Sequence, residues 1–317
     1  MNTSSAAVRI GGPQDVLTLI PYLLGFHPHD SVVVIACRDG RVELTARFDL
    51  ALCQDPPQLR CRLAHLCADE RRFILVAYTD DVARANEALH RVGRVLGPSQ
   101  VLVALRTDER RVWTRGRPGS QPVAPRAMLA QTLRDHLTAP LHDRDHLTAR
   151  VAGPPASAMP TASLLCADAL ARIAALDATE RCRTASQLAI RGRLAPDDLT
   201  DTDAALLAGL MGDGAVRDVV WSQMTRDNAA EFVRLWLRVL DVCCPSLCVP
   251  VLGLAGMAAW ASGEGALMVC CLERGLSLDA ADPLVQLLEG ISVSCLPPSA
   301  WDTVAATLAA DEPVPVG

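Results

Sequence analysis

The hydrophobic pattern changes character along the chain. Short continuous apolar runs alternate with helical stripes over the first third, whereas every segment beyond Thr161 has helical period alone. Gly11-Gly12-Pro13 predicts a helix start with proline in the first turn, and Val16, Leu17, Ile20, Leu23 and Leu24 form its stripe. After the turn at 25–30 (GFHPHD), residues 31–37 (SVVVIAC) are a near-continuous β-branched run, expected as a strand buried on both faces. Arg38-Asp39-Gly40 predicts a tight turn into a second hairpin arm over 42–48. Asp55-Pro56-Pro57 predicts a capped helix running to about Asp69, and 73–78 (FILVAY) a second buried strand. Thr79-Asp80-Asp81 caps a further helix to about Leu96, which Gly97-Pro98 stops. Residues 101–105 then read as a third central strand, and 111–114 (RVWT) as a short edge strand.

Alternation of strand and helix makes residues 1–138 an α/β layered domain with a mixed sheet. Residues 139–160 are rich in Pro, Gly, Ala and Ser and are expected as a linker or insert. Residues 161–317 are expected as an all-α, helical-hairpin domain. Asp197-Asp198, Asp227-Asn228 and Asp282-Pro283 mark helix starts there, and Gly263, Gly275 and Gly290 mark stops. The pentapeptide Arg134-Asp135-His136-Leu137-Thr138 recurs as Arg144-Asp145-His146-Leu147-Thr148, a repeat for which we have no physical account.

Composition narrows the chemistry. All 30 basic residues are arginine. Without lysine there is no P-loop amine for nucleotide phosphates, no Schiff base for pyridoxal chemistry and no kinase ATP-pairing lysine. No cofactor is therefore expected. A net charge of −6 argues against a dedicated nucleic-acid binder. The N-terminus lacks a basic start followed by an apolar stretch, so no secretion signal is expected. The 12 cysteines are then expected as reduced cytoplasmic thiols, with Cys243, Cys244 and Cys248 core residues rather than metal ligands. Residues 242–263 form an uncharged window of membrane-spanning length, but its Pro245, Pro250 and many small residues predict a buried helix and no membrane partner.

The segment VRIGGPQDVLTLIPYLLGFHPHDSVVVIACRDGRVELTARFDL carries Leu24, Gly25, Phe26, Pro28 and Ser31 in the spacing Leu-Gly-Phe-x-Pro-x-x-Ser. It resembles the opening of an actinobacterial family, domain of unknown function 4192. The later GLAGMAAWASGEGALMVCCLERGLSLDAADPLVQLLEGISVSCLPPS is similar to that family's C-terminal helices. The resemblance implies a helix, strand and hairpin at the start, and no activity. It also implies a Trp-Trp-Ser-Tyr-x-Cys stretch after the third strand. Here that region reads ERRVWTRGRPGSQPVAP, with Trp113 alone and no cysteine. Gly256, Gly263, Leu272, Gly275 and Asp279 also fall at spacings compatible with a tetratricopeptide-like unit, although Asp282-Pro283 arrives three residues late.

Four groups are candidates for chemistry. His27, His29 and Asp30 lie in the turn before the first strand and can act as acid/base groups. Ligands of open α/β sheets gather at strand carboxyl ends. That rule favours Asp80 and Asp81, which follow a central strand and also suit helix capping. Arg106, Arg110, Arg111, Arg115 and Arg117 surround Trp113 on a basic hairpin suited to an acidic partner or phosphate. His142 and His146 stand at metal-ligand spacing, i and i+4, if a helix forms there. No nucleophile elbow or dinucleotide glycine motif is present. The expected function is a cytoplasmic, non-catalytic binding or regulatory module whose helical half takes a protein partner. The alternative is an enzyme or small-ligand sensor using Asp80, Asp81 and Arg106.

Overall fold

The structure, a computed structural model, describes residues 11–66, 71–301 and 303. It divides into two compact units, 1–144 and 145–317.

The first unit is built on a six-stranded mixed sheet. Helix α1 (Pro13–Leu24) ends at Gly25, whose φ of 78° is the left-handed conformation that glycine adopts without strain. Strands β1 (Ser31–Arg38) and β2 (Arg41–Asp49) form the hairpin expected from Arg38-Asp39-Gly40. Helix α2 (Pro56–Leu63) is capped by the Asp55 carboxylate, which accepts from Gln58 N, and a 3-10 turn over Ala64–Leu66 follows. The expected end near Asp69 lies outside the described residues. Then come β3 (Arg72–Tyr78), α3 (Val82–Leu96), β4 (Val101–Thr107), β5 (Arg111–Thr114), β6 (Gln121–Pro122) and α4 (Ala127–His136).

The strand order is β2-β1-β3-β4-β5-β6. Only β3 and β4 run parallel, joined by α3 as a crossover helix. β1 runs antiparallel to β3, with Ser31 opposite Tyr78. Residues 31–36 of β1 are buried at every position, so both faces are covered, as their β-branched run requires. The expected edge strand at 111–114 is not the edge: β6 pairs beyond it, a two-residue strand containing Pro122 that periodicity could not register.

The second unit is helical. Helix α5 (Arg144–Ala149) begins at the division between units. Within the stretch expected as a linker, Leu147 and Val151 are buried. After it come α6 (Met159–Ala174), α7 (Ala178–Leu194), α8 (Asp201–Leu210), α9 (Gly214–Trp221), α10 (Ala229–Leu240), α11 (Pro245–Ser262), α12 (Gly265–Leu278) and α13 (Pro283–Val293). Asp177 opens α7 with a full capping box, and Asp282 caps α13 through Leu284 N and Val285 N. One start signal and two stop signals resolve differently. Asp197-Asp198 lies in a 3-10 turn, and Thr200 is the cap of α8. Gly275 and Gly290 sit inside α12 and α13 rather than ending them; at Gly275 a neighbouring helix needs a small residue, since a Cβ there would meet Val285 Cγ2 at 2.8 Å, whereas a Cβ on Gly290 would meet nothing within 4 Å.

Helix α11 is the centre of this unit. It packs against α10, α12 and α13, and residues 251–261 are buried without a break. Its mean hydropathy of 1.4 over 18 residues reaches the level of a membrane span, yet two thirds of that window is buried inside the protein. A helix apolar all round is what a surrounded core helix requires.

Candidate functional site

The antiparallel placement of β1 decides where the candidate residues meet. Because Ser31 pairs with Tyr78, the residues before β1 arrive at the sheet edge where β3 and β4 end. The turn at 27–30 was expected to lie away from the favoured edge. The structure puts it there, beside Asp80. A cleft of about 350 Å³ opens at this edge between the turn, the end of β3 and the β4–β5 turn. His29, Asp30, Tyr78, Asp80, Glu109 and Arg110 contribute to its lining.

Local hydrogen bonds fix the walls. Thr79 Oγ1 donates to Asp30 Oδ1 at 3.0 Å and accepts from Asp81 N at 3.3 Å, so one hydroxyl ties the entering turn to the exit of β3. Leu50 N donates to Asp30 O at 3.1 Å. In the β4–β5 turn the Asp108 carboxylate accepts from Arg110 N and Arg111 N, and Thr107 Oγ1 accepts from Glu109 N. His29 Nδ1 and Glu109 Oε1 are 2.6 Å apart across the cleft. Asp30 and Glu109 both hold positive φ, 40° and 71°, conformations that cost a side-chain-bearing residue energy.

Beneath these groups lies Tyr78, 7% exposed. Its hydroxyl is buried and has no hydrogen-bond partner. Burial, reinforced by the nearby Glu109 charge, raises its pKa, so the phenol stays protonated. Ser31, the residue opposite it on β1, also carries a buried hydroxyl without a partner. Leaving a buried polar atom unpaired costs about 1–3 kcal/mol, and such atoms are rare in folded proteins.

The family follows from the whole chain. Residues 13–299 match the family described as Domain of unknown function (DUF4192). The chain belongs to the DUF4192 family. No curated protein and no solved structure matches it.

In this DUF4192 chain the other sequence candidates separate. Asp81 caps α3, accepting from Arg84 N at 3.0 Å. The five hairpin arginines do not form one patch. Arg106 is 9% exposed, its guanidinium stacked 3.6 Å from the centroid of Trp113, and is not part of the cleft. Arg110 lines the cleft, Arg111 bonds Ser120 through Nε at 2.6 Å, and Arg115 and Arg117 line a separate groove beside α3. His27 is exposed and does not line the cleft; partial desolvation lowers its pKa, with Glu109 opposing and His29 and His142 reinforcing.

His142 and His146 do come together with Asp143, their nitrogens and carboxylate within 4.8 Å of one another on one turn of chain, and His142 Nδ1 is 3.0 Å from Asp143 Oδ2. No other such group occurs among the described residues, so Cys243, Cys244 and Cys248 are not a preformed ligand set. Their sulfurs bond locally instead: Cys243 Sγ donates to Cys244 O and Cys248 Sγ to Cys243 O, both at 3.5 Å. Sequence reasoning missed Glu109 and Tyr78. The Thr-Asp-Glu-Arg turn gave no chemical signal, and Tyr78 reads as one more apolar position on a buried strand.

Proposed function

We propose that the α/β unit is a binding module for a small polar ligand, taken into the cleft at the ends of β3 and β4. The observation that carries this reading is Tyr78, which lines a charged cleft and whose hydroxyl is buried without a partner. A ligand group hydrogen-bonded to it would remove the cost of the orphaned hydroxyl on binding. Asp80, the second oxygen of Asp30 and Arg110 supply charges of both signs around it. This is the sensor alternative of the sequence reading, with Glu109, Arg110 and Tyr78 in place of Asp81 and Arg106. A carboxylate holding an imidazole, as Glu109 holds His29, also fixes the imidazole's orientation, which an acid/base role would use.

The test is a thermal-shift screen of small polar compounds on the full chain, repeated on Asp80→Asn and Arg110→Gln. Both side chains are exposed on the cleft rim, so the variants should fold. The reading expects compounds that raise Tm for the wild type and lose most of that shift in at least one variant. Shifts of equal size in all three proteins would place the ligand elsewhere.

A second reading keeps the helical unit for a protein partner. Ile190 and Leu194, one turn apart on α7, are both exposed and form a small apolar face, one of several exposed apolar positions in this unit that include Leu164 and Leu170 on α6. We read α11, α12 and α13 in that case as one tetratricopeptide-like unit beside it, in a reducing cytoplasmic setting. Ile190→Asp/Leu194→Asp should then abolish partner crosslinking to the full chain without lowering Tm.

A further inference from the structure

A second concavity lies at the opposite end of β4 from the cleft. It encloses about 460 Å³, floored by Leu75, Leu89, Gly93, Val101 and Ala104. Its charged rim is basic: His90 and Arg94, one turn apart on α3, line it together with Arg115 and Arg117 of the segment after β5, Thr114 is its neutral polar residue, and no carboxylate lines it. Elsewhere in the same unit arginines have acidic partners, as in Arg38–Glu43, Arg47–Asp49, Arg91–Glu87 and Arg126–Asp15. Arg94, Arg115 and Arg117 have no ion-pair partner among the described residues. A chain with six more acidic than basic side chains thus keeps three guanidiniums unneutralised around one apolar floor.

The strand edge is open as well. β5 pairs with β4 only from Leu105 onward, and Arg115 N bonds Ala104 O. Leu102, two residues earlier, is the extra residue where β4 shifts register against β3; no strand pairs with it among the described residues, and it is 53% exposed.

We infer that this groove binds a phosphate monoester carried on a flat apolar body. The body would lie over Gly93, Val101 and Ala104, where small residues leave room. The phosphate would be held by Arg115 and Arg117, whose planar forks match phosphate geometry bidentately, with Arg94 completing the charge. Arg94 stands in the last turn of α3, where its charge offsets the anion-repelling carbonyl end of the helix. The inference does not rest on the cleft: the two sites share no lining residue.

The experiment is calorimetric titration of the full chain with 1-naphthyl phosphate, with 1-naphthol and with inorganic phosphate. The naphthyl phosphate should bind at least tenfold tighter than either fragment, because only it engages floor and rim together. Affinity should fall at least tenfold in Arg94→Gln/Arg115→Gln, whose exposed side chains make the pair safe for folding, and severalfold between 50 and 300 mM salt, on the scale expected for two or three neutralised charges. Equal binding of 1-naphthol would reduce the site to an apolar surface, and an unchanged affinity in the double variant would overturn the assignment. Saturation by an acetylated Val-Glu-Val-Glu peptide, with no binding of naphthyl phosphate, would overturn it in favour of strand addition at Leu102.

Discussion

The cleft edge of the sheet and the core around α11 spend their residues in opposite ways. Along α11 residues 251–261 are all committed to packing: Gly253 lies where a Cβ would sit 2.6 Å from Leu284 Cβ, and Gly256 where one would sit 3.2 Å from Cys271 Cβ. At the ends of β3 and β4, by contrast, buried hydroxyls have no partners, two side-chain-bearing residues hold positive φ, and carboxylates crowd a cleft. The helical unit also holds unpaired buried atoms, Trp236 Nε1 and Arg274 Nη1, but neither residue lines the cleft; at the sheet edge an unpaired hydroxyl, positive-φ residues and charge coincide in one cleft. The difference teaches that the sheet edge is shaped for something other than stability, as strained and unsatisfied groups at functional sites commonly are.

The largest expected effect tests the packed side of that contrast. Gly253→Ala should cost about 2–3 kcal/mol in urea unfolding, because its Cβ meets the root of Leu284 rather than a flexible tip, and α11 and α13 must part. A loss below 0.5 kcal/mol, by the same scale, would mean this core is looser than described. Next, Thr79→Val removes the hydroxyl that joins Asp30 to the start of α3, and should cost about 1–2 kcal/mol while loosening the cleft wall. If it proves neutral, the 27–30 turn is held by other means and the cleft geometry is not fixed by this bond. Asp177→Ala, which removes a full capping box in the helical unit, should cost about 1 kcal/mol and leave any cleft ligand's affinity unchanged.

The smallest effect is one of pH. Burial pushes the Glu264 carboxyl, at the start of α12, above its ordinary value, against a weaker opposing pull from Arg150 and Ser262. Between the unfolded and the raised folded value the folded state holds more protons, so this group's contribution falls as pH rises through that window. Glu264→Gln should therefore raise Tm slightly at pH 7, and the gap should close below pH 4. A gap independent of pH would contradict the sign.

Much of the fold was legible because local patterns carry it. The β-branched run at 31–37 became β1, the signals Arg38-Asp39-Gly40 and Asp55-Pro56 became a hairpin turn and a helix start, and the apolar window at 242–263 became a core helix. Short or packing-driven features were not legible. β6 is two residues long, and Gly275 looked like a stop although tight packing on Val285 explains it. The site was half legible. His29, Asp30 and Asp80 were singled out, but on separate turns, because no periodicity tells which way β1 runs beside β3. The five arginines around Trp113 read as one patch, yet successive residues on a strand point to alternate faces and the hairpin scatters them among four environments.

The central claim is that the Tyr78 hydroxyl is kept unpaired for a ligand, and one pair of titrations tests it most directly. The strongest compound from the thermal-shift screen is titrated into wild type and Tyr78→Phe, and each protein is unfolded in urea. The account predicts an affinity at least tenfold weaker in the variant, with stability unchanged or raised by up to about 1 kcal/mol, since only an unsatisfied buried polar atom has been removed. Unchanged affinity, or a variant destabilised by more than about 1 kcal/mol, would contradict it, because the hydroxyl would then be serving the fold and not a ligand.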